Sequence, residues 1–311
     1  MKATVLLNAA AGLRHGPAEA EAVRVRETFE ALGATVEVRE VPGPDLLEAA
    51  RAAAASDADV VVMGGGDGTI SAGAGALAGT GKPMGVLPLG TLNHFARDLG
   101  IPTGLEEAVR AVVQGTVREI DVGEANGRVF LNNSSIGLYP DAVSMRDAWM
   151  ERASVNKWVA MGRAALNTLR RFPVVRITLR LREGGVLVTT PMVFIGNNRY
   201  ETKLFNLGKR EVLDGGELWV YLARDAGRLG FVRLALRALA GRLDDSRDFQ
   251  GIGVQQVVVE DRRRVLKVAF DGEVCHVAPP LRYRIRPRAL RVLVPVEAEP
   301  EAEAASEPAA S

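Results

Sequence analysis

Three short clusters in this chain carry the residue types that handle phosphate and protons. The first runs Val60-Val61-Val62-Met63-Gly64-Gly65-Gly66-Asp67-Gly68-Thr69-Ile70. Its β-branched start suits a buried parallel strand. The glycines that follow let backbone N–H groups approach an anion with no Cβ in the way. A helix opening near Thr69 adds its positive end to the same spot, so polyphosphate is the matching ligand. Glycine clusters after strands also occur as ordinary turns. Asp67 weighs against that, because a carboxylate in a phosphate cradle is unfavourable unless a metal or a moving proton needs it. The segment is neither Gly-x-x-x-x-Gly-Lys-Ser/Thr nor Gly-x-Gly-x-x-Gly with a later acid, so both common nucleotide fingerprints are excluded.

The second cluster is Pro88-Leu89-Gly90-Thr91-Leu92-Asn93-His94-Phe95-Ala96-Arg97-Asp98-Leu99-Gly100. Gly90, Thr91 and Asn93 offer a turn, a hydroxyl and an amide at a helix start, either to cap that helix or to close around a nucleotide. Arg97 either faces phosphate or pairs with an acid such as Asp98. His94 lacks a metal-ligand partner and carries no assignment. The third cluster is Phe270-Asp271-Gly272-Glu273. Asp-Gly turns are common in β-hairpins. Two acids around a glycine also present carboxylates to a metal or a hydroxyl.

The elements that must position these clusters change character along the chain. Strands are expected at 4–7, 35–41, 59–63 and 84–88, with helices at 18–32, 46–55 and 105–114. This alternation implies βαβ units and a parallel sheet. Ligands of such sheets sit at the carboxyl ends of the strands, where Asn8, the Gly64–Asp67 loop and the residues after Pro88 fall. From about Ile120 the pattern becomes β-rich, with strands expected at 129–132, 174–182, 186–190, 192–196, 218–223, 254–260, 265–270 and 282–285. Helical stretches at 141–171 and 228–242 interrupt it. The expected organisation is therefore an α/β nucleotide-binding domain at 1–122, completed by a strand at 289–295, and a β-rich domain at 123–288. A disordered acidic tail is expected at 297–311.

Composition sets bounds on the partners. The 311 residues are 47% hydrophobic and 25% charged, with a net charge of +1. The tail contributes five glutamates and no Lys or Arg, leaving 39 basic residues against 33 acidic, a body of +6. Aromatics are 5%, and no basic patch is interleaved with them, which argues against a nucleic-acid partner. The single cysteine, Cys275, rules out an intrachain disulfide and suits a reducing compartment. No run approaches the roughly 18 apolar residues of a membrane span. A cytoplasmic location, peripheral to a membrane, is the expectation.

In order, Gly-Gly-Asp-Gly-Thr, then Gly-Thr-Leu-Asn-x-Phe-Ala-Arg-Asp-Leu-Gly-Ile-Pro, then Asn-Asn-Ser-Ser-Ile-Gly-Leu-Tyr, then Phe-Asp-Gly-Glu resemble the diacylglycerol kinase catalytic domain family. That family includes soluble bacterial lipid kinases and the sphingosine and ceramide kinases. The first motif is shared with NAD kinases and phosphofructokinases. The stretch 90–102 makes the lipid-kinase match specific.

The resemblance implies a Rossmann-like α/β nucleotide-binding domain followed by a β-sandwich domain, with a cleft between them. It implies ATP- and Mg²⁺-dependent phosphorylation of a lipid hydroxyl. Carried over, Asn8 and Gly12 bound the first nucleotide loop, although Ala9 and Ala11 replace the family's Pro and Ser. Gly64, Gly65, Gly66, Gly68 and Thr69 hold phosphates, with Thr91 and Asn93 also at the nucleotide. Asp271 matches the general base proposed in bacterial members, while sphingosine kinases give that role to the acid matching Asp67. Glu273 is a candidate metal-bound carboxylate at the nucleotide, or a solvated turn residue. Asp141 falls where sphingosine kinases bind a headgroup, or is a helix N-cap. A structural Mg²⁺ of bacterial members would sit near Leu213-Asp214-Gly215-Gly216-Glu217-Leu218. Gly215 takes the acid's place there, leaving Asp214 or Glu217 as substitutes. The family's Asn-Glu-Val after Thr69-Ile70 reads Ser71-Ala72-Gly73 here.

Expected partners are the lipid substrate and a transient membrane surface, with a homodimer left open. Residues 228–242 place Leu229, Phe231, Val232, Ala235, Leu236 and Leu239 on one side and Arg233 and Arg237 opposite. Such a face lies on anionic lipid or docks on its own sheet. The rival functions are a small-molecule kinase of the NAD kinase type and a nucleotide-binding regulator without catalysis.

Overall fold

The computed structural model describes residues 1–10, 18–137, 140, 175–181, 184–200, 210, 212–223 and 249–296. Gly12, Asp141, the helical stretches expected at 141–171 and 228–242 and the acidic stretch 297–311 lie outside the described residues.

The first part of the chain alternates as its periodicity requires: β1 (Lys2–Asn8), α1 (Ala18–Ala31), β2 (Thr35–Val41), α2 (Leu46–Ala54), β3 (Val60–Gly65), α3 (Asp67–Leu77), β4 (Met84–Pro88), α4 (His94–Asp98) and α5 (Leu105–Gln114). β1 lies between β2 and β3, β3 pairs with β4, and all are parallel. Val60, Val61, Val62 and Met63 are at most 1% exposed, because helices cover both faces of the strand. Burying each such side chain contributes roughly 1.5–3 kcal/mol. The chain leaves β1 toward β2 and returns on the other side to β3. That reversal opens a crevice beyond the carboxyl ends of β1 and β3, where Asn8 and Gly65 stand.

The remaining strands are β5 (Thr116–Ala125), β6 (Arg128–Phe130), β7 (Asn133–Gly137), β8 (Val175–Leu181), β9 (Gly184–Thr190), β10 (Met192–Asn197), β11 (Leu218–Ala223), β12 (Phe249–Val254), β13 (Gln256–Glu260), β14 (Leu266–Phe270), β15 (Glu273–Val277) and β16 (Leu281–Val294). One ten-stranded sheet runs β2-β1-β3-β4-β16-β13-β8-β9, with β5 on β16 and β6 on β5. A six-stranded antiparallel sheet runs β12-β11-β10-β7-β14-β15. Between them Phe130, Ile136, Val257, Val268 and Tyr283 belong to one core, the sandwich that the β-rich composition calls for.

The strands expected at 282–285 and 289–295 are one strand, β16. Its register against β5 shifts between Arg286 and Leu290, across Pro287 and a left-handed Arg288 at φ 48°. A β-bulge absorbs the interruption that looks like a strand end in sequence. Tyr283–Arg286 pair with 122–125, and Leu290–Val294 pair with 116–120. Each half of β16 thereby serves a different half of the molecule, and the expected boundary at 122/123 falls inside β5. β15 has no sequence counterpart because its residues are half-buried or exposed and leave little hydrophobic alternation.

Candidate functional site

The crevice begins where β1 ends. Asn8 donates through Nδ2 to Thr69 Oγ1 at 2.9 Å, while its Oδ1 accepts from the Ala10 N–H at 3.0 Å. Thr69 is buried in the first turn of α3. Gly65 packs so tightly on it that a Cβ there would sit 2.7 Å from Thr69 Cβ. Asn8, Gly65 and Thr69 thus form one support beneath the loop. Gly66 precedes α3, whose first backbone N–H groups have no intrahelical acceptor and whose positive end favours an anion. Gly64 lies in the last part of β3, its Cα against the Leu7 side chain.

The second glycine cluster closes on the first. The Leu89 N–H donates to the Gly65 carbonyl at 3.1 Å, and a Cβ on Gly90 would lie 2.5 Å from Gly66 Cα. The obstruction is backbone, so it does not rotate away. Gly90→Ala is expected to part the two loops, lowering ATP affinity at least about tenfold and stability by about 1–3 kcal/mol. Calorimetric titration and a thermal melt read both. An unchanged ATP affinity would show that the loops need not touch.

Asn93 turns out to hold its own loop. Its Nδ2 donates to the carbonyls of Pro88 (3.1 Å) and Gly90 (3.0 Å), and its Oδ1 accepts from the Gly90 N–H (3.1 Å). With φ at 48° it uses the left-handed conformation that Asn tolerates. Thr91 and Leu92 are exposed beside it.

The acids meet around α3. Asp67 opens the helix, half-buried, and its Oδ1 accepts from the Phe95 N–H of α4 at 3.3 Å. Asp271 sits at the tip of the β14–β15 hairpin in a left-handed conformation, φ 49°. Its Oδ1 accepts from the Asn132 N–H (2.7 Å) and the Asn133 N–H (3.1 Å). Its Oδ2 accepts from the Leu131 N–H (2.8 Å) and from Ser71 Oγ (2.7 Å). Ser71 is four residues beyond Asp67, on the same face of α3, which brings the hairpin acid within about one helical turn of the loop acid. Burial pushes the Asp271 carboxyl above the usual Asp range, while the four hydrogen bonds pull it back.

Glu273 joins the same cluster. Its Oε1 approaches Gly68 so closely that a Cβ there would meet it at 2.6 Å, and its Oε2 accepts from Arg128 at 2.9 Å. Arg128 also contacts Cys275 Sγ at 2.9 Å and lies over the Phe270 ring. Phosphate-bound Mg²⁺ takes only one or two protein carboxylates. Asp67 at the start of α3 and Glu273 of β15, whose Oε1 lies beside Gly68, supply two such carboxylates.

The substitute acids for a structural metal both stand at the surface. Asp214 is exposed, 4.0 Å from Arg118, and Glu217 is exposed. Among the described residues no three potential metal ligands converge. Asp121, fully buried, holds this turn instead. Its Oδ2 accepts from the Gly216 N–H (2.6 Å) and Asn198 Nδ2 (3.2 Å), and its Oδ1 from the Arg288 N–H in the β16 bulge (2.8 Å). Asp121 has no part in the sequence-based expectations, and Ser71, Asn132 and Asn133 enter there only as members of motifs, not as partners of Asp271. Asp121 gave no signal, because Arg118, Glu119 and Glu124 stand in the same strand and its burial is set by tertiary packing.

The family model for the diacylglycerol kinase catalytic domain matches residues 2–125. That for the YegS C-terminal NAD kinase beta sandwich-like domain matches residues 140–294. A diacylglycerol kinase of Bacillus subtilis is 43% identical over 250 residues, covering 76% of this chain and 78% of that one. A Pseudomonas aeruginosa protein named "Probable lipid kinase YegS-like" is 51% identical over 81 residues, 25% of this chain and 26% of its own. The crystal structure of a diacylglycerol kinase from Bacillus anthracis shares the fold, with a TM-score of 0.67 at 19% identity over 94% of this chain and 96% of that one. With the glycine loops and the gripped hairpin acid, these matches show that the chain belongs to the diacylglycerol kinase catalytic domain family and is a lipid kinase.

Proposed function

We propose that the chain transfers the γ-phosphoryl group of ATP to the free hydroxyl of diacylglycerol or a closely related lipid. The observation that carries this reading is the Asp271 carboxylate, fixed by Leu131, Asn132, Asn133 and Ser71 beside the start of α3. Phosphoryl transfer needs placement and charge neutralisation more than covalent chemistry. The amides of 64–68 would cradle the phosphates. Asp67 and Glu273 would hold Mg²⁺, which supplies charge neutralisation when bound. Asp271 would accept the proton of the attacking lipid hydroxyl. Raised by burial, its carboxyl is a stronger base than an ordinary Asp, which suits that role.

Its substrate puts the enzyme at a membrane surface, worked from the cytoplasm. Among the described residues no helix is long and apolar enough to cross a bilayer. Incubation with labelled ATP, Mg²⁺ and a total lipid extract is expected to yield a labelled phospholipid, and NAD in a parallel reaction is expected to stay unlabelled. Label on NAD, or on no lipid at all, would overturn the proposal.

A further inference from the structure

Arg210 carries a charge where charge is costly. Its side chain is 0% exposed, and the Asp98 carboxylate that it meets is 6% exposed. Its Nε donates to Asp98 Oδ2 at 2.8 Å, one NH group donates to the carbonyls of Leu131 (2.6 Å) and Asn197 (3.3 Å), and the other donates to Asn132 Oδ1 at 3.1 Å. An aromatic ring packs nearby. The Tyr200 ring lies 5.9 Å from the guanidinium carbon, and burial pushes its hydroxyl up to about 12. A charge pair in such a place is weak evidence for stability, since apolar residues often replace one without loss.

The geometry gives the arginine a different task. The Leu131 carbonyl and the Asn132 N–H belong to one peptide unit. Arg210 and Asn197 Nδ2 (2.8 Å) bond its oxygen, and its N–H bonds Asp271 at 2.7 Å on the other side. The next unit repeats the pattern. The Asn132 carbonyl accepts from the Asn197 N–H at 2.9 Å, and the Asn133 N–H donates to Asp271 at 3.1 Å. A peptide whose oxygen is held by a cation is polarised, and its N–H becomes a stronger donor. Asp98 ties the far end of the guanidinium to α4, the helix whose Phe95 N–H bonds Asp67. Both acids of the site are anchored along one continuous set of bonds.

We infer that Arg210 is a positioning residue for Asp271, acting through the Leu131–Asn132 peptide unit. The inference rests on the proposed role of Asp271 for its kinetic consequence, but not for its structural one. The test is Arg210→Met combined with Asp98→Asn, which leaves no unpaired buried charge. Two results are expected together. The Leu131 and Asn132 amides exchange with solvent about tenfold faster or more, while β1 and β3 amides keep their wild-type rates. The kcat falls at least about tenfold, with KM for ATP within about twofold.

Unchanged exchange at the two amides overturns the inference, whatever the turnover. So does faster exchange with wild-type kcat, since Asp271 would then not depend on the brace. Should the double variant fail to fold, Arg210→Lys gives the same two readouts. It keeps the charge, but a single ammonium replaces the planar fork that bonds Leu131, Asn197 and Asn132 together. If the wild-type chain phosphorylates no lipid, the proposed function fails, and the exchange measurement alone decides the inference.

Discussion

Asp271→Asn is expected to lower kcat by about 10²–10⁴-fold, the range for removing a positioned general base. Asn suits the test because it tolerates the left-handed backbone at φ 49°. Its amide removes the proton acceptor and keeps the side-chain size. One oxygen that now faces N–H or hydroxyl donors becomes an NH₂ group, a cost of about 1–3 kcal/mol. An opposing effect softens that. Burial raises the folded carboxyl above the ordinary Asp value of 3.8, so the stability it contributes is present below that value and is lost as pH rises through the raised value. At neutral pH the wild type therefore holds an ionised group at some cost, which Asn relieves. The melting temperature is expected to move by only about 5 °C. The same shift predicts the acid limb of kcat/KM. Activity requires the ionised form, so it falls with decreasing pH through a value above 3.8. Wild-type turnover in the Asn variant would remove Asp271 from the chemistry.

Asp121→Ala is expected to be the most destabilising single change, about 3–5 kcal/mol. Three donors lose their acceptor at once: the Gly216 N–H, the Arg288 N–H and Asn198 Nδ2. Each belongs to a different segment, namely the 213–217 turn, the β16 bulge and the end of β10. A total stability of about 5–15 kcal/mol makes this a large fraction. The melting temperature should drop on the order of 10 °C. Denaturant unfolding followed by fluorescence checks the free energy directly. A loss below about 1 kcal/mol would mean that water replaces the carboxylate and that the turn has another support.

The legibility of this chain follows interaction range. The parallel strands and the helices between them were readable because their signals lie within a few residues: Val60–Met63 buried on both faces, Gly64–Gly66 after them, and Gly104 ahead of the amphipathic 105–114 helix. The glycine loops were readable for the same reason. Asn93 allowed two roles in sequence, capping a helix start or closing around a nucleotide, and the structure shows its amide bonding the backbone three and five residues away. β16 was split in two because Pro287 interrupts the alternation, and only pairing with β5 reveals a bulge rather than an end.

By itself, the order of residues determined the fold class and marked Asp67 and Asp271 as candidate acids, the first by its glycine loop and the second by family resemblance, since periodicity, glycine placement and motif order are local. Tertiary structure decided what surrounds those acids. Asp271 is gripped by amides about 140 residues away and by Ser71, 200 residues away, and Asp98 meets Arg210 across 112 residues. Such partners leave no trace in spacing, because hydrogen bonds and burial depend on distance in space, and the folding of the sheets alone brings those segments together.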